Sequence, residues 1–394
     1  MRALHLARHF LVDSGLRISP AARQFTRAPT RLAKPFRSTR SKTSSVVTMS
    51  VVKKVSGLQF PFQTPDPFLF CVYHYDEYPA GDGSMRAPKR GNGADFDPNS
   101  PYRMYHGERV PGFPQHPHRG FETVTATMKG IVDHTDSIGN AGRYGHGDVQ
   151  WMTAGNGIVH GEMFPLVHAD GDNHLQLFQI WLNLPSSKKM TKPAFVMHWA
   201  PDVMHAKTDN GNVNAVVWAG ELFGAKGQPP PPDSWAADSA NDVGIYFLTC
   251  KPGASFTLPP AKNLSDTNRT LYFFEGEGME VGGRVVSSKS AIDLDASLEC
   301  PIAVPSSAGK ETLLLVLQGR PIGEPVAQHG PFVMNTRAEI QQAFSDYQQT
   351  RFGGWPWPDD AMTFPKDKGR FALVDGVETQ GPGGVAGLKG HTEL

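Results

Sequence analysis

Apolar positions along this chain come in short runs that alternate with polar ones, and each run ends in turn-forming residues. Phe121 to Met128 alternates well enough for a half-buried strand, and Lys129-Gly130 turns it. Val149-Gln150-Trp151-Met152 reads as a strand, Ala154-Gly155-Asn156-Gly157 as its turn, and Ile158-Val159-His160 as the next strand. Leu175, Leu177, Phe178, Ile180, Leu182 and Leu184 mark a long strand ending at Pro185, and Phe60, Phe62 and Pro67 to Tyr73 mark one or two early ones. Short strands at regular spacing, each followed by turn residues, predict an antiparallel sandwich or barrel.

A second pattern of the same kind starts at Val213 to Trp218, is broken by the tetraproline 229–232, and resumes at Ile245–Thr249, Leu271–Phe274 and Leu313–Leu317. It predicts a second barrel of similar size. Residues 80–112 show almost no apolar periodicity and read as an irregular loop, long for a compact domain. One helix is marked: Thr336 caps it, Glu339 completes a capping box, and Ile340, Phe344 and Tyr347 share a face that should pack across a barrel. From Trp355-Pro356-Trp357-Pro358 onward the chain reads as an extended tail. The fold class is therefore all-β, two barrels with a C-terminal helix. The divisions are a leader at 1–48, a first barrel at 56–200, a second at 201–335, and the helix and tail at 336–394.

The 41 glycines and 33 prolines agree with many turns and short strands. The formal charge of zero hides an asymmetry. Residues 1–45 hold ten Lys or Arg and one acid, Asp13; subtracting these from the 38 of each sign leaves 28 basic and 37 acidic residues, about −9 for the body. Such a body is not that of a nucleic-acid binder. The basic, Ser/Thr-rich leader fits an address for a plastid or a mitochondrion, with a plain basic tail, or initiation at Met49, as the alternative. Its apolar stretch is too short and too often interrupted by Arg to span a membrane. Three separated cysteines (Cys71, Cys250, Cys300) and no Cys-x-x-Cys fit a reducing compartment and exclude a zinc ribbon.

Candidate chemistry is concentrated in the first half, which has nine histidines from His74 to His174 against His205 and His329 between residues 201 and 390. Two pairs stand out, His116 with His118 and His160 with Glu162, each at i and i+2 and so on one face of a strand. Two adjacent strands would gather three imidazoles and a carboxylate, a set suited to a divalent first-row metal with open positions. Pro117 removes a ladder donor and places its pair at a strand edge or entrance. Glu122, four residues after His118, rivals Glu162 as the carboxylate. His106, His134, His146 and His174 read as ordinary structural or exposed histidines, as do His74 and His168, which are also spares for a pocket rim. The second barrel is expected to be metal-free.

His116-Pro-His-Arg-Gly-Phe-Glu-Thr-Val-Thr125 closely resembles the signature of the pirin family, two-barrel members of the cupin superfamily, whose barrels are jelly rolls (double-stranded β-helices). Gly147 to Met163, the strand Leu175–Leu184 with Pro185 to Met190 after it, and Gln328 to Thr336 follow in the family's order. Arg351-Phe-Gly-Gly-Trp-Pro-Trp-Pro358 resembles bacterial-type members, and the likeness spans roughly 57–375.

The resemblance implies ligands at His116, His118, His160 and Glu162, which decides against Glu122. It further implies ferrous iron, Fe(2+), in the N-terminal cupin, with manganese, nickel or copper also accepted by such ligands. It implies an activity of the quercetin 2,3-dioxygenase type on a small aromatic substrate and O2. Glu162 would take the flavonol's 3-hydroxyl proton, and the ring would open with release of carbon monoxide. The alternatives are a redox-responsive iron protein that regulates a protein partner and, more weakly, a storage-type cupin. The long loop and the leader depart from the family's pattern; the loop leads straight into the first two ligands and could cap the pocket.

Overall fold

The structure is a computed structural model that describes residues 50–383 apart from Asn92, Asp95, Pro98, Asp209, Leu264 and Ser265; the leader lies outside the described residues. Two antiparallel barrels stand side by side. In the first, a five-stranded sheet runs in the order β10 (Ala194–His198), β7 (Val149–Thr153), β4 (Phe121–Lys129), β9 (Asn173–Asn183), β2 (Phe68–Tyr78). Its partner runs β26 (Val377–Gln380), β25 (Phe371–Val374), β6 (Ala141–Gly145), β5 (Ile131–Asp136), β8 (Ile158–Met163), β3 (Gly112–His118). The two sheets meet through Tyr78, Leu175 and Leu177 on one side and Val132 and Tyr144 on the other.

The second barrel has a seven-stranded sheet in the order β1 (Val52–Gly57), β20 (Ser290–Asp295), β17 (Asn268–Glu275), β22 (Thr312–Gly319), β15 (Gly244–Cys250), β12 (Val213–Ala219), β11 (Met204–Lys207). Facing it are β16 (Ser255–Leu258), β21 (Cys300–Ala303), β18 (Gly278–Val281) and β19 (Arg284–Ser287). Two small hairpins complete the strands, β13 (Glu221–Leu222) with β14 (Ala225–Lys226) and β23 (Ala327–His329) with β24 (Phe332–Met334). The all-β, two-barrel expectation holds.

The barrels are joined by apolar burial. Val124, Ala126 and Met128 of β4 lie in one cluster with Trp151, Phe178 and Ile180, and with Trp218, Phe247, Tyr272, Phe274 and Leu317 of the second barrel. At about 25 cal/mol per Å2 of apolar surface removed from water, a contact of this kind is the main force holding two sheets face to face. β4 was expected to be half-buried, yet only Lys129 of it is exposed. Its second face, with Thr123, Thr125 and Thr127, lines the interior of the first barrel, so the alternation separates two buried environments rather than core from water.

The two ends of the described segment cross over between the barrels. β1 pairs with β20 of the second barrel, while β25 pairs with β6 and completes the first. Arg143 secures that closure from full burial: it ion-pairs with Asp133 at 2.7 Å and donates to the carbonyls of Phe364, Pro365 and Lys368. The tail is thus a structural part of the first barrel. Among the described residues one α-helix occurs, α1 (Arg337–Thr350), with the expected capping box between Thr336 and Glu339. Ile340, Ala343 and Tyr347 pack it against Val159 and Phe332, on the outside of the first barrel. Among the described residues no helix is long and apolar enough to cross a membrane.

Candidate metal centre

β3 and β8 are adjacent, and their register sets His116 directly opposite His160. His118 lies two residues on, facing the same way. The three rings gather with centroids 4.5, 4.8 and 4.9 Å apart, and one ring nitrogen from each falls within 4.8 Å of the others. β3 is the outer strand of its sheet, so the N–H that Pro117 lacks belongs to the open edge and no ladder bond is lost. After His118 the chain turns at Arg119-Gly120. Gly120 has φ +86°, and a Cβ there would collide with the Val333 carbonyl. Buried Lys189 donates to the carbonyls of Gly120 and Val333 and to Asn183 Oδ1, which pins this turn to β9 and β24.

The imidazoles are prepared as ligands. His116 Nδ1 sits 2.9 Å from the Pro114 carbonyl and His118 Nδ1 3.3 Å from that of Pro331. An Nδ1–H donated to a carbonyl leaves the Nε2 lone pair for a metal. Both nitrogens of fully buried His160 lack a hydrogen-bond partner, an expensive condition that a metal ion would relieve. Burial, reinforced by the neighbouring rings, pushes His118 and His160 well below the ordinary histidine range, and burial takes His116 down to about 4. All three are therefore neutral, the form that ligates. The residues fit a divalent metal ion.

Glu162 follows His160 on β8 and is equally enclosed. Its Oε1 accepts from Thr125 Oγ1 (3.1 Å) and Tyr144 Oη (3.4 Å), and its Oε2 from Gln179 Nε2 (2.7 Å). Burial raises its carboxyl above the usual range, opposed by His134 and these donors. The close nitrogen cluster consists of the three histidines, with the Glu162 carboxylate held beside it by the polar belt.

Glu122 is not in the site. The i+4 spacing from His118 puts two residues on one face only within a single strand, and the turn at Arg119-Gly120 moves Glu122 onto β4. It faces the second barrel, accepting from Thr153 Oγ1 (2.7 Å) and Ser234 Oγ (2.5 Å). His168 meets Gly81 and Asn173 through its backbone, and His174 is exposed beside Asp172. His74 lies inside the barrel, its Nδ1 2.6 Å from Tyr105 Oη, which in turn donates to Asp76 Oδ2 at 2.7 Å. Tyr105 and His106 come from the long loop and pack against Phe113, with centroids at 5.0 and 5.7 Å, and Phe113 itself lies 6.4 Å from His116. The loop therefore packs its aromatic side chains onto Phe113, next to the histidines.

His134, read from sequence as an ordinary histidine, belongs to the site. β5 pairs with β8 so that His134 lies opposite Glu162 and Asp136 opposite His160. His134 Nε2 is 3.3 Å from Asp136 Oδ2, its ring is 5.5 Å from that of His160, and its Nδ1 is buried without a partner. The signal was present in the sequence: His134-Thr135-Asp136 is a third i, i+2 pair in a strand.

A profile of the Pirin family matches residues 88–182, and one of the Pirin C-terminal cupin domain matches residues 245–353. A pirin-like protein of Solanum lycopersicum is 35% identical over 275 residues, covering 69% of this chain and 88% of the relative. A protein of Pseudomonas aeruginosa, provisionally named a quercetin 2,3-dioxygenase, is 36% identical over 254 residues, covering 64% of this chain and 82% of its own length. The crystal structure of a quercetin 2,3-dioxygenase from Acinetobacter baumannii superimposes with a TM-score of 0.60 at 27% identity, covering 78% of this chain and 99% of that one.

Proposed function

The chain belongs to the pirin family, and from that premise we propose that its first barrel is an iron-dependent dioxygenase of the quercetin 2,3-dioxygenase type, acting on flavonol-like substrates with O2. The observation that carries this reading is His160, a fully buried imidazole with both nitrogens unpartnered between two other neutral imidazoles. His116, His118 and His160 would hold Fe(2+), with Glu162 as the fourth ligand. When bound, the ion would lower the pKa of a substrate hydroxyl and serve as the redox centre for O2.

The work assigned to the protein's own groups is positioning and proton movement. Glu162 would receive the proton of the substrate's 3-hydroxyl on a carboxylate oxygen. Burial has already raised its affinity for a proton, and Gln179, Thr125 and Tyr144 keep it aimed. Phe113 lies beside His116 and is backed by Phe164 and Tyr105, an aromatic cluster suited to a flat ring system. A second reading, a redox-responsive iron protein acting on a protein partner, draws on the link from His118 to the surface hairpin β23–β24. The leader is proposed as the address to a plastid or a mitochondrion.

The test is oxygen consumption by the full-length protein, loaded anaerobically with Fe(2+), in the presence of quercetin, beside His160→Ala. Turnover that vanishes in the variant supports a metal-centred dioxygenase. Absence of turnover with a full equivalent of iron bound removes the quercetin reading and leaves the redox-regulator reading.

A further inference from the structure

The second barrel repeats the strand plan of the first. β17 lies between β20 and β22, and β22 between β17 and β15, as β4 lies between β7 and β9, and β9 between β4 and β2. In the first barrel the start of β4 and the end of β9 put Phe121 and Trp181 against His118, with centroids at 5.0 and 5.3 Å. Near the corresponding ends of β17 and β22 in the second barrel lie Arg269 and Gln318, which pair directly. There the barrel opens into a cavity of 420 Å3 with no imidazole in its lining. Its walls are largely apolar, from Phe223, Tyr246, Pro259 and Pro260, and Arg269 and Asp242 are its inner charges. Lys262 and Glu221 also border it but neutralise each other at 2.7 Å.

Arg269 is 5% exposed. Its Nε and Nη2 donate to Gln318 Oε1 at 2.8 and 2.5 Å, and Nη1 donates to the Pro259 carbonyl at 2.8 Å. Gln318 Nε2 donates to the Asp242 carbonyl, which fixes the amide with its oxygen toward the guanidinium. Three of five guanidinium N–H groups are used in this way, all on neutral oxygens. The other buried arginines differ: Arg119 pairs with Asp346, Arg143 with Asp133 and Arg370 with Asp148. Among the described residues, Arg269 alone of this group has no carboxylate in ion-pair contact. With Asp242 near but not in contact, a buried guanidinium that touches no carboxylate is costly unless an anion is supplied.

We propose that the mouth of the second barrel is a binding site for a small aromatic carboxylate, its carboxylate on Arg269 and its ring between Phe223 and the Pro259-Pro260 wall. The cavity is within the usual range for small ligands, roughly 300–1,000 Å3. Asp242, whose Oδ2 accepts from the Asn263 N–H at 3.2 Å, limits the ligand to a single negative charge. The second barrel is then a ligand-binding partner to the first rather than a barrel that has merely lost its metal.

The probe is benzoate, with benzamide as its neutral isostere, titrated calorimetrically into the full-length, iron-loaded protein. One benzoate should bind per chain, about tenfold more tightly than benzamide, since the charge-assisted contact is lost with the amide. Arg269→Lys, which cannot offer a planar fork, should weaken benzoate by about tenfold and leave benzamide unchanged. Asp242→Asn, tolerated at the left-handed φ of 49° because Asn adopts that region readily, should tighten benzoate; a gain cannot come from unfolding. His160→Ala should leave the affinity as it was. Equal binding of benzoate and benzamide, absence of saturation, or benzoate binding that disappears in His160→Ala while ignoring Asp242→Asn would each overturn the proposal.

Discussion

The carbonyl of Pro331 holds His118 Nδ1 at 3.3 Å, across 213 residues of chain. An element that follows the second barrel thus orients a candidate ligand of the first. Beside it, Arg119 Nη1 ion-pairs with Asp346 of α1 at 2.7 Å, its Nε donates to the Asn156 carbonyl, and its guanidinium lies 4.6 Å from the Phe352 ring. The residue directly after His118 is therefore clamped to the helix and to the segment behind it.

This clamp predicts that metal affinity depends on α1, which touches no ligand. Arg119→Met keeps most of the volume but removes the ion pair and the Asn156 contact. Partners that orient ligands typically contribute a factor of about 10 to 100 in metal affinity, and a loss of that order is expected. Competition with a chelator measures it, and a melt shows whether the fold survives. Unchanged affinity would mean that Pro331 and the strand pair suffice to orient His118.

Glu162→Gln separates ligation from proton transfer. The amide oxygen can still accept from Gln179, so the belt around it is largely kept. With iron in excess the variant should bind metal yet lose turnover by roughly 10^2 to 10^4, the usual worth of a positioned base. Metal content and oxygen uptake measured on the same sample give the answer. Full turnover at full occupancy would assign the proton to another group, and His134 is the neighbour best placed to receive it.

Glu122 predicts a pH dependence of stability unrelated to the metal. Burial between the barrels raises its pKa to about 7, against 4.5 for the free group. The folded state therefore binds this proton more tightly than the unfolded state. Its contribution is fully present below about pH 4.5, falls as pH rises toward 7, and is absent above; the span is up to about 3 kcal/mol. In Glu122→Gln that slope should be missing. Denaturation in urea at pH 5 and pH 8 checks it, the informative quantity being the difference between wild type and variant.

Much of this architecture was legible because its signals are local. Alternation with a period of two brings His116 and His118 to one face, and the same period on β8 brings His160 and Glu162 together. The helix was legible because Thr336 and Glu339 cap it within four residues. What escaped depends on which strands become neighbours. His134 joins the site only because β5 pairs with β8, and Glu122 leaves it because Gly120 turns the chain. The crossing of β1 and β25 between barrels is likewise invisible to local pattern: their partners, β20 and β6, lie more than 200 residues away in sequence. Arg143 became intelligible only with the tail laid over it, and Arg370 only with Asp148 beneath the tail that carries it.

A capping role for the long loop can be tested at Tyr105. Its hydroxyl helps join the loop to the barrel floor, donating to Asp76 and lying within hydrogen-bond distance of His74, beside the Arg103–Asp76 ion pair. Tyr105→Phe keeps the ring on Phe113 but takes a partner from two buried polar groups, at a cost of about 1 to 3 kcal/mol. His74 is held neutral, its pKa taken down to about 3 mainly by burial and secondarily by Arg103, so it does not compensate by charging at neutral pH. The loop should loosen while the histidine cluster, built on β3 and β8, stays intact. Faster proteolysis between residues 80 and 112 with unchanged iron affinity is the expected result, and the KM for a flavonol should rise more than kcat falls. If iron affinity falls instead, the loop supports the metal site itself and is more than a cover over its entrance.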